Sequence, residues 1–192
     1  MGFLESSERV MERWTTNLWG FLLPAKRERG EAVAMLLRQC DDNALIVGRQ
    51  RVVVRTAGHV MGAEVLGSIE YGVDVLGCPL VVVLGHDSCG AVGAACAALE
   101  DGMAPAGYVR DVVERVTPSV LAARAAGRVE PEEILAEHIR HTVDLLLDRS
   151  RVLAEKVAAG RAAVVGLCYR LADGSAQLVA ARGLDAAVPT AS

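Results

Sequence analysis

Apolar positions along this 192-residue chain alternate between short unbroken runs and longer stretches of helical period. Pro79-Leu-Val-Val-Val-Leu84 is the clearest run, and its lack of polar interruption predicts a strand buried on both faces. The β-branched run Arg51-Val-Val-Val-Arg-Thr-Ala57, closed by Gly58-His59, predicts a second strand. Residues 162–171 and 176–181 predict two more, joined through the hairpin-forming Asp173-Gly174-Ser175. A further short apolar run occupies residues 44–47, closed by Gly48. Over residues 61–76, Val65, Leu66, Ile69, Val73 and Leu76 share one helical face, with Gly77 placed to end the helix. Residues 91–99 predict a small-residue helix, and 108–126 and 131–158 two longer ones. Residues 31–39, EAVAMLLRQ, combine helix formers with a helical apolar period and predict another. In residues 1–30, Phe3, Leu4, Val10, Trp14, Leu18 and Phe21 recur at three- and four-residue spacing, which predicts one or two helices punctuated by Pro24.

Strand, helix, strand, helices, strand is the βαβ order of a parallel sheet with helices on its faces. The expected fold class is therefore α/β, a mostly parallel β-sheet flanked by helices, with the last hairpin adding an antiparallel edge strand. One domain is expected overall, made of an N-terminal helical arm over residues 1–50 and a core over 51–185. Hydrophobic residues are 52% of the chain and aromatics only 4%, which suits small side chains packing helices closely on a sheet. The net charge of -4 supplies no basic footprint, so nucleic acid is not an expected partner. No run reaches the roughly 18 apolar residues of a membrane span. Glu5, Glu8, Arg9, Glu12 and Arg13 also break the basic-then-apolar order of a signal peptide, so a cytoplasmic protein is expected. Cys40, Cys78, Cys89, Cys96 and Cys168 have no disulfide-framework spacing; each is a small buried hydrophobe or a metal ligand.

Candidate chemistry gathers in Gly85-His86-Asp87-Ser88-Cys89-Gly90, which follows the best strand and precedes a helix. Ligands of open α/β sheets bind at that end of the strands. His86 and Cys89, three residues apart, present an imidazole nitrogen and a thiolate sulfur, both preferred zinc donors. Taken alone, the pair is better explained as a satisfied histidine and a buried cysteine, a preference that its place at a strand end reduces without reversing. Asp87 reads as a replacement acid or as a solvated loop carboxylate. His59 follows a strand end, where a proton-shuttle role is open to it. His138 and His141, one helical turn apart, read as surface or core residues, and Cys78, Cys96 and Cys168 as structural.

The stretch RTAGHVMGAEVLGSIEYGVDVLGCPLVVVLGHDSCGAV, residues 55–92, resembles the central segment of β-class carbonic anhydrases. An R-x-A-G strand end, a V-L-x-S-I-E-Y-x-V helix and a G-H-x-x-C-G loop follow one another in that order. YVRDVVERVTPSV at 108–120, HIRHTVDLLL at 138–147 and the last strands at 162–181 fit the same layout. The resemblance implies a β-carbonic-anhydrase-like fold and zinc-dependent reversible hydration of carbon dioxide to bicarbonate. It implies a homodimer or higher homo-oligomer as well. Zinc is held in that family by two cysteines and one histidine, so His86 and Cys89 are implied as ligands, with Gly90 beside the substrate.

The third ligand opens a C-x-D-S-R motif in the family. Cys40 and Asp42 keep the C-x-D spacing, but Asn43 and Ala44 replace the Ser and Arg. Two readings stand. In one, Cys40 is the third zinc ligand and Asp42 the catalytic acid. In the other, the N-terminal block is unrelated sequence or the product of a rearranged gene, and Cys40 is an ordinary cysteine. Without the Arg that pairs with the Asp, Asp42 has no partner holding it off the metal, so a slow enzyme is expected. Alternatives are a catalytically weak or inactive member serving as a homo-oligomeric binding or regulatory subunit, and a hydrolase of another small linear molecule.

Overall fold

The computed structural model describes residues 34–38 and 52–184. Strand β1 (Ala34–Arg38) and strand β2 (Val52–Arg55) are followed by a 3-10 turn at Ala57–His59. Helix α1 (Ala63–Glu70) continues as a π-helical turn over Tyr71–Val75, and Gly77 ends it at φ +71. Strand β3 (Leu80–His86), helices α2 (Gly90–Asp101), α3 (Val109–Ala125), α4 (Pro131–Arg149) and α5 (Arg151–Ala158), and strands β4 (Ala163–Tyr169) and β5 (Ala176–Arg182) complete the order. The sheet runs β2-β1-β3-β4-β5; every pair is parallel except β4 with β5. The mostly parallel sheet and its antiparallel edge agree with the expected class.

Two local expectations are corrected. Residues 34–38 form a strand where the helical period of 31–39 predicted a helix. AMLLR has helix-forming side chains, but its backbone pairs with β2 on one side and β3 on the other. A full set of ladder bonds on both edges overrides intrinsic preference. The single helix expected over 131–158 is instead two, broken at Ser150. The Ser150 hydroxyl accepts from Leu153 N–H at 3.1 Å, capping α5, and donates to Glu70 Oε1 at 2.7 Å. The helices expected in residues 1–30 and the apolar run at 44–47 lie outside the described residues.

Strand β3 is buried on both faces, as its sequence predicted. Val81 and Val83 pack with Val164 beneath α1, α3 and α4, while Leu80, Val82 and Leu84 pack with Ala163, Val165 and Leu167 on the opposite face. Helix α4 lies close across β3 and β4 because two glycines face it. A Cβ at Gly166 would sit 2.5 Å from Ile139 Cγ2, and one at Gly85 would sit 2.7 Å from Ile139 Cδ1 and 2.9 Å from its Cγ1. Gly85→Ala and Gly166→Ala are each expected to destabilise by about 1–3 kcal/mol through overpacking. Ile139→Val deletes Cδ1 and keeps Cγ2, so in urea unfolding it should offset part of the Gly85→Ala loss and none of the Gly166→Ala loss. Equal coupling in the two double-mutant cycles would contradict this packing.

Candidate metal-binding loop

Strand β3 delivers His86 at its C-terminal end, and α2 begins four residues later at Gly90. Asp87 and Ser88 make the intervening turn, with Ser88 in the left-handed region at φ +57. Cys89 occupies the N-cap position of α2 and is buried. The loop between the two donors thus holds only two residues, and both donors sit at the mouth of the same strand. A Cβ built at Gly90 meets nothing within 4 Å, so space beside the helix start is open. An approximately 380 Å³ cleft borders residues 87–90, with Val92, Ile134 and Leu135 among its apolar walls.

His86 Nδ1 lies 2.6 Å from the carbonyl oxygen of Asp87. A carbonyl only accepts, so Nδ1 carries the proton and Nε2 keeps its lone pair. Histidines that ligate metals use this same arrangement, with the second nitrogen tied to a backbone carbonyl. Asp87 in turn donates its N–H to Tyr169 O at 3.0 Å, and its Oδ1 accepts Leu171 N–H at 3.1 Å. Its carboxylate is thus tied through one oxygen to the β4–β5 turn.

Cys40 and Asp42 lie outside the described residues. Among the described residues, no group of three or more His, Cys, Asp or Glu side chains is placed to hold a metal ion. The loop therefore fits zinc in donor chemistry and in the tautomer of His86, and it needs a third donor from elsewhere. Cys78 is buried and Cys96 and Cys168 half-buried; burial raises all three thiols above the ordinary range, as expected of structural cysteines.

A buried histidine pair lies near this loop and has no signature in the sequence. His59 is 0% exposed and stacks on His138 with ring centroids 4.3 Å apart at 22°. His138 Nε2 is 2.7 Å from Gly58 O, so it carries the proton, and Nδ1 accepts from the Ser119 hydroxyl at 2.8 Å. Thr142 Oγ1 donates to His138 O at 2.9 Å, which leaves it to accept from His59 Nδ1–H at 3.1 Å. His59 Nε2 is then a buried lone pair with no hydrogen-bond partner among the described residues. Burial, and next the charge of His138, hold His59 well below the ordinary histidine range, and burial pushes His138 down to about 4. A proton shuttle needs a pKa near the working pH. His59 is instead a neutral core group, and with His138 it pins the 3-10 turn to α3 and α4.

Comparison with known proteins adds three findings. The family model described as "Carbonic anhydrase" matches residues 49–176. Carbonic anhydrase 2 of Mycobacterium tuberculosis is 58% identical over 126 residues, 66% of this chain. That match spans 61% of the relative's own length. Among solved structures, the β-carbonic anhydrase CafA of Aspergillus fumigatus superposes with TM-score 0.63 at 21% identity, covering 93% of this chain and 88% of that one. The structure described as tetrameric β-carbonic anhydrases from Sordaria macrospora superposes with TM-score 0.62 at 18% identity, covering 90% and 93%. At these identities the structural likeness concerns the fold. Among the described residues no helix is long and apolar enough to cross a membrane.

Proposed function

Because this chain belongs to the carbonic anhydrase family, we propose that it catalyses the zinc-dependent, reversible hydration of carbon dioxide to bicarbonate. His86 Nε2 and Cys89 Sγ would hold the metal, with Cys40 as the third donor. The observation that carries this reading is strand register. Arg38, the last residue of β1, pairs with Leu84 of β3, so the chain leaves β1 on the sheet edge where the His86–Cys89 loop begins. Cys40 is two residues farther on, and two residues span at most about 7 Å. Neighbouring strands are only about 4.8 Å apart, so the described end of β1 lies beside the start of the loop, which supports Cys40 as the donor.

Bound zinc supplies the Lewis acidity that makes water a nucleophile near neutral pH. The protein's own residues do the rest. The Asp87 carbonyl fixes the tautomer and direction of the His86 imidazole. Gly90 leaves room for a small linear substrate, and the apolar walls at Val92, Ile134 and Leu135 suit an uncharged one. Asp42 is the group proposed to hold a proton at the centre, and Ala44 deprives it of an Arg partner, so hydration is expected to be slow. A homo-oligomer is part of the proposal, supported by exposed apolar side chains at Tyr71, Val75, Tyr108, Val109 and Leu121.

Elemental analysis of purified wild type beside Cys40→Ser, with hydration assayed across pH, tests the reading. About one zinc per chain in wild type is expected, with loss of metal and activity in the variant. Unchanged metal in Cys40→Ser would remove that residue from the site. Zinc-replete protein without any hydration would leave the binding or regulatory role instead.

A further inference from the structure

We propose that Asp87 is a positioning residue that locks the metal-binding loop to the β4–β5 turn through its side chain; this rests on the zinc reading above. Residue 87 lies between the two donors and makes three hydrogen bonds. Its carbonyl receives the His86 Nδ1 proton at 2.6 Å, its N–H goes to Tyr169 O at 3.0 Å, and its Oδ1 accepts Leu171 N–H at 3.1 Å. The first orients the imidazole; the other two decide where that orienting carbonyl sits. Moving residue 87 therefore rotates His86 away from the position Cys89 shares with it.

The anchor is itself braced. Tyr169 is the last residue of β4 and pairs in register with His86. Beyond it, Arg170 N–H donates to Ser175 O at 2.8 Å and Gly174 N–H to Arg170 O at 2.9 Å. Asp173 Oδ1 accepts both the N–H and the hydroxyl of Ser175, at 2.9 and 2.6 Å. The turn that holds Leu171 is thus closed by its own bonds, and Asp87 ties the loop to a fixed point on the β4 side of β3. A third donor arriving from β1 would approach from the other side of β3, since β1 and β4 flank it. Loop position then decides whether three donors converge. Two of the residue-87 bonds are backbone bonds that any residue keeps. The Oδ1 bond is the one the sequence chooses, and asparagine preserves its acceptor.

Zinc affinity measured by chelator competition on wild type, Asp87→Ala and Asp87→Asn tests this, with urea unfolding of the metal-free proteins alongside. Asp87→Ala is expected to weaken zinc binding by about 10-fold, the lower end for residues that orient a ligand. Asp87→Asn should stay within about threefold of wild type, and metal-free stability should be nearly the same in all three. Alanine binding zinc as tightly as wild type would overturn the proposal. So would asparagine as weak as alanine, which would make charge and not the Leu171 bond responsible, or a metal-free stability that falls in step with affinity. Wild type lacking zinc altogether would overturn the metal reading and this proposal together.

Discussion

Cys89→Ser is expected to strip the protein of zinc while leaving the metal-free fold intact. A serine hydroxyl at neutral pH is a poor zinc donor beside a cysteine sulfur, and removing one of the three proposed ligands should weaken binding beyond the ~10–100-fold seen when an outer partner is lost. The fold is protected by an accident of position. Cys89 is the N-cap residue of α2, and its side chain does not cap that helix. Serine is among the favoured residues there, because its oxygen can accept an otherwise unpaired N–H of the first turn, an effect typically worth about 1 kcal/mol. Zinc content should therefore collapse in Cys89→Ser with the metal-free melting temperature unchanged or slightly raised. Retention of stoichiometric zinc would remove Cys89 from the site, and loss of folding would show that its thiol has a packing role that serine cannot fill.

Acid should unfold the protein through its buried histidine pair. In the unfolded chain both imidazoles titrate near the ordinary value of about 6.5. In the folded chain burial, and then the neighbouring charge of His141, hold His138 down at about 4, and burial, His138 and His86 hold His59 lower than the ordinary range. Above pH 6.5 both states are neutral and the contribution is fully present. As pH falls below that, the unfolded state binds protons first, and stability drains away until the folded pKa is reached. For His138 the loss by pH 5 is about 2 kcal/mol, and His59 adds a loss of the same sign. Urea unfolding at pH 7.5 and pH 5 should show it. His138→Asn, although less stable at pH 7.5, should have a shallower dependence on pH. A flat profile in wild type would mean that the pair is solvated or already charged.

How much of this was legible beforehand varies with the kind of signal. The position of the G-H-x-x-C-G loop between strand and helix was legible, because an unbroken apolar strand leads straight into it. Gly77 and the 173–175 turn were also legible, since positive φ and tight reversal leave few residue choices. The role of Asp87 was not, because its partner Leu171 lies in the β4–β5 turn, far along the chain, and no spacing marks a bond to a backbone N–H. The His59–His138 stack was hidden for the same reason: each histidine reads as ordinary until the 3-10 turn is laid against α4.

The sequence alone determined the α/β class, the order of most strands and helices, the family and the location of the chemical loop. All of these follow from local periodicity, turn chemistry or contiguous motifs. Only the tertiary structure decided that residues 34–38 are a strand, that Ser150 divides the last long helix, and that Asp87 and the two buried histidines are bound to distant elements. Each of those depends on backbone or side-chain partners supplied from elsewhere in the fold, and a hydrogen bond between residues far apart in sequence leaves no period for a reader of the chain to find.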